Sequence, residues 1–467
     1  MSITEVGAKT KRSNRTIILY LANTIEAYQT RFAQAEGVVE IIRRVEIADS
    51  INWGRLADGH CQECPRQLHF THHDTYVRML KQHNGSKSFI TVHRVRCLEC
   101  HAVFTVLPSF VVRYKRYDTD AIEKFMTMLF ITEDSYRMAG VGQALGIDTE
   151  GAGTWAALKN AQGIAIAPRA LWGLTQWVGQ LSPAQLNLAF GIEPPTHIIE
   201  DEKHLSENGE RTYAPIIYAP QEALIWWIDY LQSASTEALH ASFERFKALS
   251  DRLTHITGAT VDGWDAAQDA LKLAFPGLTL QECLFHATHK LGLHLATYKR
   301  QRKAAGQPLS EQDEERIFQA FVKVLYAPTQ QAYAQALNAL PGVFNQEPLA
   351  SRKQSLQIKQ ALFQAWITDY RLAVVTTPLD QRMKFLNRKQ ENMQTLHSDK
   401  SGLATMNAWA ITRNCWRFLQ GAKRAGLAPI ELADAHLANI PWMQWVNLVL
   451  YAWPTIALAT SALTPST

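Results

Sequence analysis

Three β-rich runs, His197–Leu205, Arg211–Ala219 and Ala223–Leu231, follow one another with only turn material such as Glu207-Asn208-Gly209-Glu210 between them. Links this short join antiparallel neighbours, because a parallel return needs a crossover of a dozen or more residues. After the third run the pattern changes. Thr236–Ser250 puts Leu239, Phe243, Phe246 and Leu249 on one helical face. A strand is then expected near Leu253–Val261, a helix near Trp264–Phe275 and a strand near Leu278–Leu284. The expected order is β-β-β-α-β-α-β, hairpins first and crossover units second, in an α/β domain with a mixed sheet. In such a sheet the first and fourth strands can lie side by side.

From His286 to Ala373 the chain reads helical, broken at Gly306–Pro308, Pro328 and Pro341-Gly342, and a last helical region starts near Pro378. This divides the second half into 194–285, the first part of the α/β domain; 286–375, an all-helical insertion; 376–430, its closing helices; and 431–467, an apolar helical tail. Upstream, residues 1–55 hold a basic leader (Lys9, Lys11, Arg12, Arg15) and a helix, 56–117 hold paired cysteines among alternating β-type residues, and 118–180 are helical.

With 47% hydrophobic and 19% charged residues, the 467-residue chain is too apolar for disorder and long enough for two or three domains. Lys plus Arg number 47 against 43 acidic residues, so the overall charge of +4 does not announce a polyanionic partner. Any nucleic-acid argument must rest on local patches. The apolar run Ile17–Ala22 is too short for a secretory signal and no cleavage site follows it. Ile440–Thr464 is long enough to span a bilayer, but Gln444, Asn447 and Pro454 interrupt it and no basic cluster flanks it. It reads as a packed helix, and the chain as soluble and cytoplasmic with no membrane partner.

Six cysteines are too few for a disulfide scaffold, and four of them are paired. Cys61-Gln-Glu-Cys64 and Cys97-Leu-Glu-Cys100 are two CxxC turns separated by 32 residues. Each turn can present two thiolates to one ion, and two turns complete a tetrahedral Zn²⁺ shell. An iron–sulfur site and unliganded cysteines are the weaker readings. With four thiolates closing the shell, His60, His69, His72, His73 and His101 are expected at the surface or in hydrogen bonds. Next comes Arg113-Tyr114-Lys115-Arg116-Tyr117, whose Arg113, Lys115 and Arg116 suit phosphates and whose tyrosines suit stacking, although a solvated basic face has the same look. Glu133–Leu145, Gly146 and Ile147–Leu158 then read as helix, turn, helix. In tandem these three features suggest an N-terminal half that binds double-stranded DNA.

His197-Ile-Ile-Glu-Asp201-Glu-Lys-His204 places acids at the centre of the first strand, where they are costly unless they meet a cation. Val261-Asp262-Gly263-Trp264 places another at the end of the fourth. Brought together, Asp201 and Asp262 suit Mg²⁺, and two such ions ~4 Å apart can activate an attacking oxygen on phosphorus and stabilise a leaving one. The plainer readings are a helix N-cap for Asp262 and a salt bridge for Asp201.

With Cys283-Leu-Phe-His286 after the fifth strand, the chain resembles a DDE transposase of a bacterial insertion sequence, with an RNase H-like catalytic domain, related to the Mutator-like group that carries a C/DxxH motif. The N-terminal block is similar to the zinc domain of such transposases through its CxxC pairs, Phe104-Thr-Val-Leu-Pro108 and Tyr114-Lys-Arg-Tyr117. The resemblance covers roughly residues 56–430. It implies an acidic triad holding two Mg²⁺ ions, hydrolysis at element ends, transfer of the freed 3′-hydroxyl to target DNA, and a homo-oligomer assembled on paired ends. It also implies a third acid on the helix after the insertion. Val375-Thr376-Thr377-Pro378-Leu379-Asp380 fits that setting, so Asp380 is preferred over Glu391, though the commoner acid there is Glu. The two are ~16 Å apart along one helix and cannot serve the same ions. Asp380, Lys384, Asn387, Arg388 and Glu391 share a helical face, where Lys384 and Arg388 can grip DNA.

Cys283 and His286 are read as bracing the insertion or touching DNA, with a catalytic dyad the weaker alternative. Trp226, Trp227, Trp264, Trp409 and Trp416 are expected to be packing residues, Trp264 alone being placed to stack on a base. Two rival functions stay open. One is an inactive, transposase-derived DNA-binding regulator, and the other a metal nuclease that cuts without joining.

Overall fold

A computed structural model describes residues 15–19, 70–83, 86–99, 101–131, 166–393, 398–418, 424–438 and 441–450. The expected helix-turn-helix, the three cysteines Cys61, Cys64 and Cys100, and His60 and His69 lie outside them. The protein is a mixed α/β chain that divides into two compact units, residues 1–191 with 404–467, and residues 192–403.

The first unit is built on a four-stranded sheet of order β1-β4-β3-β2, from β1 (Arg15–Leu19), β2 (Phe70–Lys81), β3 (Lys87–Cys97) and β4 (Val103–Pro108). The leader residues Arg15–Leu19 are therefore a strand, paired in parallel with Phe104–Pro108. Their β-branched Thr16-Ile17-Ile18 favours that over helix. β2 and β3 form the hairpin expected between the CxxC turns. Along β3, Ile90, Val92, Val95 and Cys97 are buried. Helix α1 (Thr119–Ile131) is apolar almost all round and buries Ile122, Phe125, Met126, Leu129 and Phe130. Asp118 starts it by accepting from the Ala121 N–H at 2.8 Å. Helices α2 (Pro168–Val178) and α3 (Pro183–Ala189) follow, the latter opened by a Ser182/Gln185 capping box.

The described part of the apolar C-terminal stretch, residues 441–450, is packed here. Residues 442–450 are helical and bury Trp442, Met443, Val446 and Val449. The two polar residues that interrupt its apolar run lock it down: Gln444 accepts from Ser109 Oγ at 2.6 Å, and Asn447 Nδ2 donates to the Ser109 and Val111 carbonyls at 2.8 and 3.1 Å. Among the described residues no helix is long and apolar enough to cross a membrane.

The second unit contains a five-stranded sheet of order β7-β6-β5-β8-β9, from β5 (His197–Glu207), β6 (Glu210–Ala219), β7 (Leu224–Ile228), β8 (Gly258–Val261) and β9 (Thr279–Glu282). β5, β6 and β7 are antiparallel neighbours, whereas β5–β8 and β8–β9 run parallel. The expected order and the pairing of first with fourth strand are both present. Helix α4 (Thr236–Lys247), capped by Ser235, buries Leu239, Phe243 and Phe246, and α5 (Asp265–Ala274) packs against it. β8 is shorter than expected. Asp251–Thr254 is a 3₁₀ turn because Ser250 Oγ accepts from the Arg252 N–H and Thr254 Oγ1 donates to the Asp251 carbonyl at 2.6 Å. Such side-chain bonds to the backbone compete with a strand ladder.

Four helices of nine or more residues follow, α6 (Leu284–Ala304), α7 (Glu311–Leu325), α8 (Gln330–Asn338) and α9 (Ala350–Ile358), and then the short helical turns Gln360–Phe363 and Ala365–Thr368. They bury Leu291, Leu295, Phe321, Val324, Tyr333, Phe344 and Leu356 in a core of their own. The expected all-helical insertion and its breaks are thus present, with Gly306 turning the first corner at φ +72°. Helix α10 (Thr377–Met393) lies against β5, and α11 (Asp399–Cys415) begins beyond it.

Candidate metal centre

The sheet decides which side chains can meet. Ile199 of β5 is in register with Thr260 of β8, and Thr260 with Gln281 of β9. Side chains two apart share a face, so Asp201 projects from the same face as these three. That face is covered by the chain returning from the insertion. Thr260 Oγ1 donates to the Ala373 carbonyl at 2.5 Å, Gln281 Nε2 to the Phe363 carbonyl at 3.3 Å, and the Trp366 N–H to Gln281 Oε1 at 3.0 Å. The returning strand of chain then feeds α10, which carries Asp380 in its first turn, where the helix dipole favours an anion.

The result is a group of three. Asp201, His286 and Asp380 each offer a ligand atom, all within 4.8 Å of one another. Asp262 stands just past the end of β8, level with Asp201 by register, and its Oδ1 accepts from the Trp264 N–H at 2.6 Å. It is outside the three-residue group but within electrostatic reach of Asp201, Glu200 and Glu202.

So much negative charge is poorly tolerated without a cation. Burial first, then Asp380, Asp262 and Glu202, push the Asp201 carboxyl well above its usual range, and His286 partly offsets them. Burial and Asp262 raise Glu202 to about 8. Glu200 is fully buried, and among the described residues neither of its carboxylate oxygens has a hydrogen-bond partner; burial, Glu202, Asp201 and Asp262 all raise it. Ionised carboxylates in that setting call for a positive ion. Two carboxylates and an imidazole are a fitting donor set for a divalent metal, with the oxygens suited to Mg²⁺ and the imidazole extending the range to Mn²⁺.

A threonine ties the group together. Thr376 is fully buried, and its Oγ1 lies 3.4 Å from Cys283 Sγ, 3.2 Å from His286 Nδ1 and 3.4 Å from Asp380 Oδ2. Its N–H donates to Cys283 Sγ at 3.2 Å. One residue later on α6, the Leu284 N–H donates to the Val374 carbonyl at 3.1 Å, so the insertion leaves and rejoins the domain at one place. Burial alone would raise the Cys283 thiol, but hydrogen bonds from His286 and Thr376 outweigh it and bring it below its ordinary value. The same bond to Cys283, opposed by burial and aided by Asp201 and Asp380, raises His286 to about 9. Cys283 is fully buried, so its thiol braces the junction and has no access as a nucleophile.

Of the acids preferred in the sequence, Asp201 and Asp380 are brought together and Asp262 stands beside them. Glu391 and Arg388 lie on α10, but their side chains fall outside the described residues; Lys384 is exposed. His286 as a donor, Thr376 as the bridge and Glu200 as a buried acid were not singled out in the sequence. A His one turn after Cys283 and a Thr four before Asp380 are the only signals they leave.

In the first unit, Cys97 ends β3 buried, and its N–H donates to the Ala102 carbonyl at 2.9 Å across a tight turn with His101 at φ +56°. His72, His73 and His101 are exposed as expected, whereas His93 is buried. The basic-aromatic run is a pinned loop. Arg78 Nη2 donates to the Val112 and Lys115 carbonyls at 2.7 and 2.5 Å, Tyr114 is exposed at φ +60° with the Arg113 guanidinium over its ring, and Lys115 Nζ reaches the Gly173 carbonyl at 3.4 Å. Arg116 is exposed, and Tyr117 is buried edge-on against Phe125.

Residues 61–139, spanning the four paired cysteines, this loop and α1, match a family model described as a domain of unknown function, DUF6431. No curated protein matches the chain.

Proposed function

We propose that the protein is a DDE-type DNA transposase, a metal-dependent polynucleotidyl transferase whose second unit is an RNase H-like catalytic domain. The observation that carries this reading is the convergence of Asp201 from the middle of the central strand with Asp380 from a helix beyond the insertion, in a sheet with Asp262 at the end of the adjoining parallel strand. The strand order and the long helical insertion before the third acid agree with the resemblance carried by the sequence motifs.

Asp201, Asp262 and Asp380 would hold the ions, with His286 completing the set or, as an imidazolium, balancing it. Divalent ions there supply Lewis-acid activation of an attacking oxygen and charge stabilisation at the scissile phosphate. The protein's own contribution is placement. β5 fixes Asp201 through its ladder with β6, where it pairs with Ile216, and its Oδ1 accepts from the Glu202 N–H at 2.9 Å. Thr376 orients Asp380 and His286 together. Lys384, one turn along α10 from Asp380, gives the DNA backbone an exposed cation. In the first unit, the four cysteines would bind structural Zn²⁺, and Arg113, Lys115 and Arg116 would contact phosphates of the element ends.

The deciding experiment uses the full chain with duplexes taken from the sequences flanking its gene, pre-cut to expose a 3′-hydroxyl. Mg²⁺- or Mn²⁺-dependent joining to a second duplex is expected, and Asp201→Asn, Asp262→Asn and Asp380→Asn should each lower it by at least about 10³-fold. Joining that ignores these substitutions would refute the assignment. Cleavage without joining would leave a nuclease, and DNA binding alone would leave a regulator.

A further inference from the structure

Gly263 keeps a gap that two charged side chains share. Its φ lies outside the left-handed region, so the backbone does not call for glycine there. The neighbours do: a Cβ on Gly263 would collide with Lys290 Nζ and with Glu282 Oε1. Glu282 is the buried last residue of β9, in register with Val261, and Asp262 and Gly263 continue the chain beyond the end of β8. Lys290 comes from α6, one helical turn after His286 and on the same face of that helix. Its root is thus a turn away from the imidazole of the metal centre, and its tip lies over the turn that carries Asp262.

The two charges are partnered unequally. Glu282 Oε2 pairs with Lys359 Nζ at 3.1 Å and accepts from Gln268 Nε2 at 3.4 Å. Asp262 is engaged as well, its Oδ1 by the Trp264 N–H and its carbonyl by Gln268 Nε2 at 3.2 Å. Lys290 makes no hydrogen bond or ion pair among the described residues. Glu282 therefore has its cation already, and the three N–H donors of Lys290 stay available. Lys290, Asp262, Gly263 and Trp264 are all only partly covered, at the carboxyl ends of parallel strands, where ligands enter sheets of this kind. A small free anion there would be repelled by Asp201, Asp262 and Asp380. A phosphodiester would not, because metal ions on those acids attract its other oxygens.

We infer that Lys290 grips the DNA strand: its ammonium takes a non-bridging oxygen of the phosphate lying over the Asp262–Gly263 turn, and Gly263 leaves the room for it. This rests on the reading of the centre as one that acts on DNA strands. It adds a protein cation, carried by the first helix of the insertion, to a phosphate that the acids alone would repel.

The test uses full-length protein in Mn²⁺ with the pre-cut duplexes from the flanks of its gene, ended by a 3′-deoxynucleotide so that binding is read without joining. Lys290→Met keeps the length of the stem and removes the charge, and Lys290→Gln does so with a polar end. Each should weaken binding by about 10-fold or more. Each should also lower the slope of log affinity against log salt by about 0.9, the loss of one phosphate contact. Neutral methylphosphonates are then placed singly along both strands near the 3′ end. One position should weaken the parent by about 10-fold but Lys290→Met by less than about twofold, because the partner charge is already gone. Lys290→Arg should keep the slope and the sensitive position. An unchanged slope, or methylphosphonate losses equal in parent and Lys290→Met at every position, would overturn the inference. So would variants that merely bind Mn²⁺ more tightly, the sign of a simple counter-charge to the acids. If the parent still joins DNA strands alongside such a result, Lys290 alone loses its role. A parent that neither binds nor joins these duplexes would remove the reading of the centre as well.

Discussion

The Asp380 carboxylate, in the first turn of α10, comes within 4.8 Å of the Asp201 carboxylate in the middle of β5, although the whole helical insertion separates them in sequence. Two acids at that spacing, one of them buried, repel each other unless a cation stands between them. Stability and function are then opposed at this spot. Asp201→Asn or Asp380→Asn should stabilise the ion-free protein by about 1–2 kcal/mol, and should abolish the rise in melting temperature that millimolar Mn²⁺ gives the parent. Calorimetry in EDTA and in Mn²⁺ measures both. An ion-free variant less stable than the parent would mean that the two carboxylates are not in conflict.

The pH dependence follows with a definite sign. Glu202 is raised to about 8 and His286 to about 9, and Glu200 and Asp201 shift upward as well. In each case the folded chain binds its proton more tightly than the unfolded one. For the carboxyls, stability is greatest below the ordinary value near 4.5 and falls as pH rises through the folded value; for His286 it is complete below 6.5 and lost through about 9. Asp369, held low by Arg371 and His197, has the opposite sign but acts only below its ordinary 3.8. The raised carboxyls should therefore cost the ion-free protein stability as pH rises from 5 to about 8, at about 1.4 kcal/mol per pH unit for each extra proton held, while the lowered Cys283 thiol offsets His286 at higher pH. Mn²⁺ should flatten the profile. Rising stability across that range in EDTA would contradict the assignment.

Thr376 gives a sharper probe because its hydroxyl touches three groups at once. Thr376→Val keeps the shape and removes the oxygen, at a cost of about 1–3 kcal/mol. It should weaken Mn²⁺ binding about 10- to 100-fold, and NMR titration should show a lower His286 pKa. Thr376→Ser should keep both near the parent values. An unchanged imidazole titration in the valine variant would remove Thr376 from the positioning scheme.

Gly179 tests the first unit. A Cβ there would lie 1.7 Å from the Ala404 carbonyl oxygen, and the Gly179 carbonyl itself accepts from Asn407 Nδ2 at 3.1 Å. Backbone occupies the space, so the clash cannot be relieved by a side-chain turn. Gly179→Ala should cost about 3 kcal/mol or more, read as a lower midpoint in urea. A neutral substitution would mean the two segments are farther apart than the structure has them.

Zinc content tests the cysteine module. Purified protein should carry one Zn²⁺ per chain by mass spectrometry of the metals. Cys97→Ser should remove it, lower the melting temperature, and leave Mn²⁺ binding in the second unit intact. A full-length preparation that is folded, reduced and zinc-free would end the Cys₄ proposal.

The sheet of the second unit was legible because its apolar runs and turns are local signals: Leu224–Ile228 is continuous apolar β sequence, and Asn208-Gly209 is a turn that only a few residue types can make. Asp201 was legible for a related reason, being a charge where a strand should carry none, and Asp262 as an acid where a strand turns into a helix. β8 was overextended because Ser250 and Thr254 act through side-chain bonds to nearby backbone, which apolar periodicity does not register. Asp380 could be chosen only from its turn and from resemblance. What brings it to Asp201 is the path of residues 363–376 over Thr260 and Gln281, a tertiary relation with no local mark. His286 was legible only as part of the Cys283–His286 motif and Thr376 only as turn context, because their contacts with the acids are tertiary as well.

The adjoining bonds from the Leu284 N–H to the Val374 carbonyl and from the Thr376 N–H to Cys283 Sγ close the doorway of the helical insertion. A block attached at so narrow a seam, with its own apolar interior, can be lengthened, trimmed or exchanged over generations while the acids stay registered. Such a chain can alter the surface of its helical block without moving Asp201 and Asp380 apart. Grafting a foreign helical module between those two seams is accordingly a practical way to ask whether the block and the acids are independent.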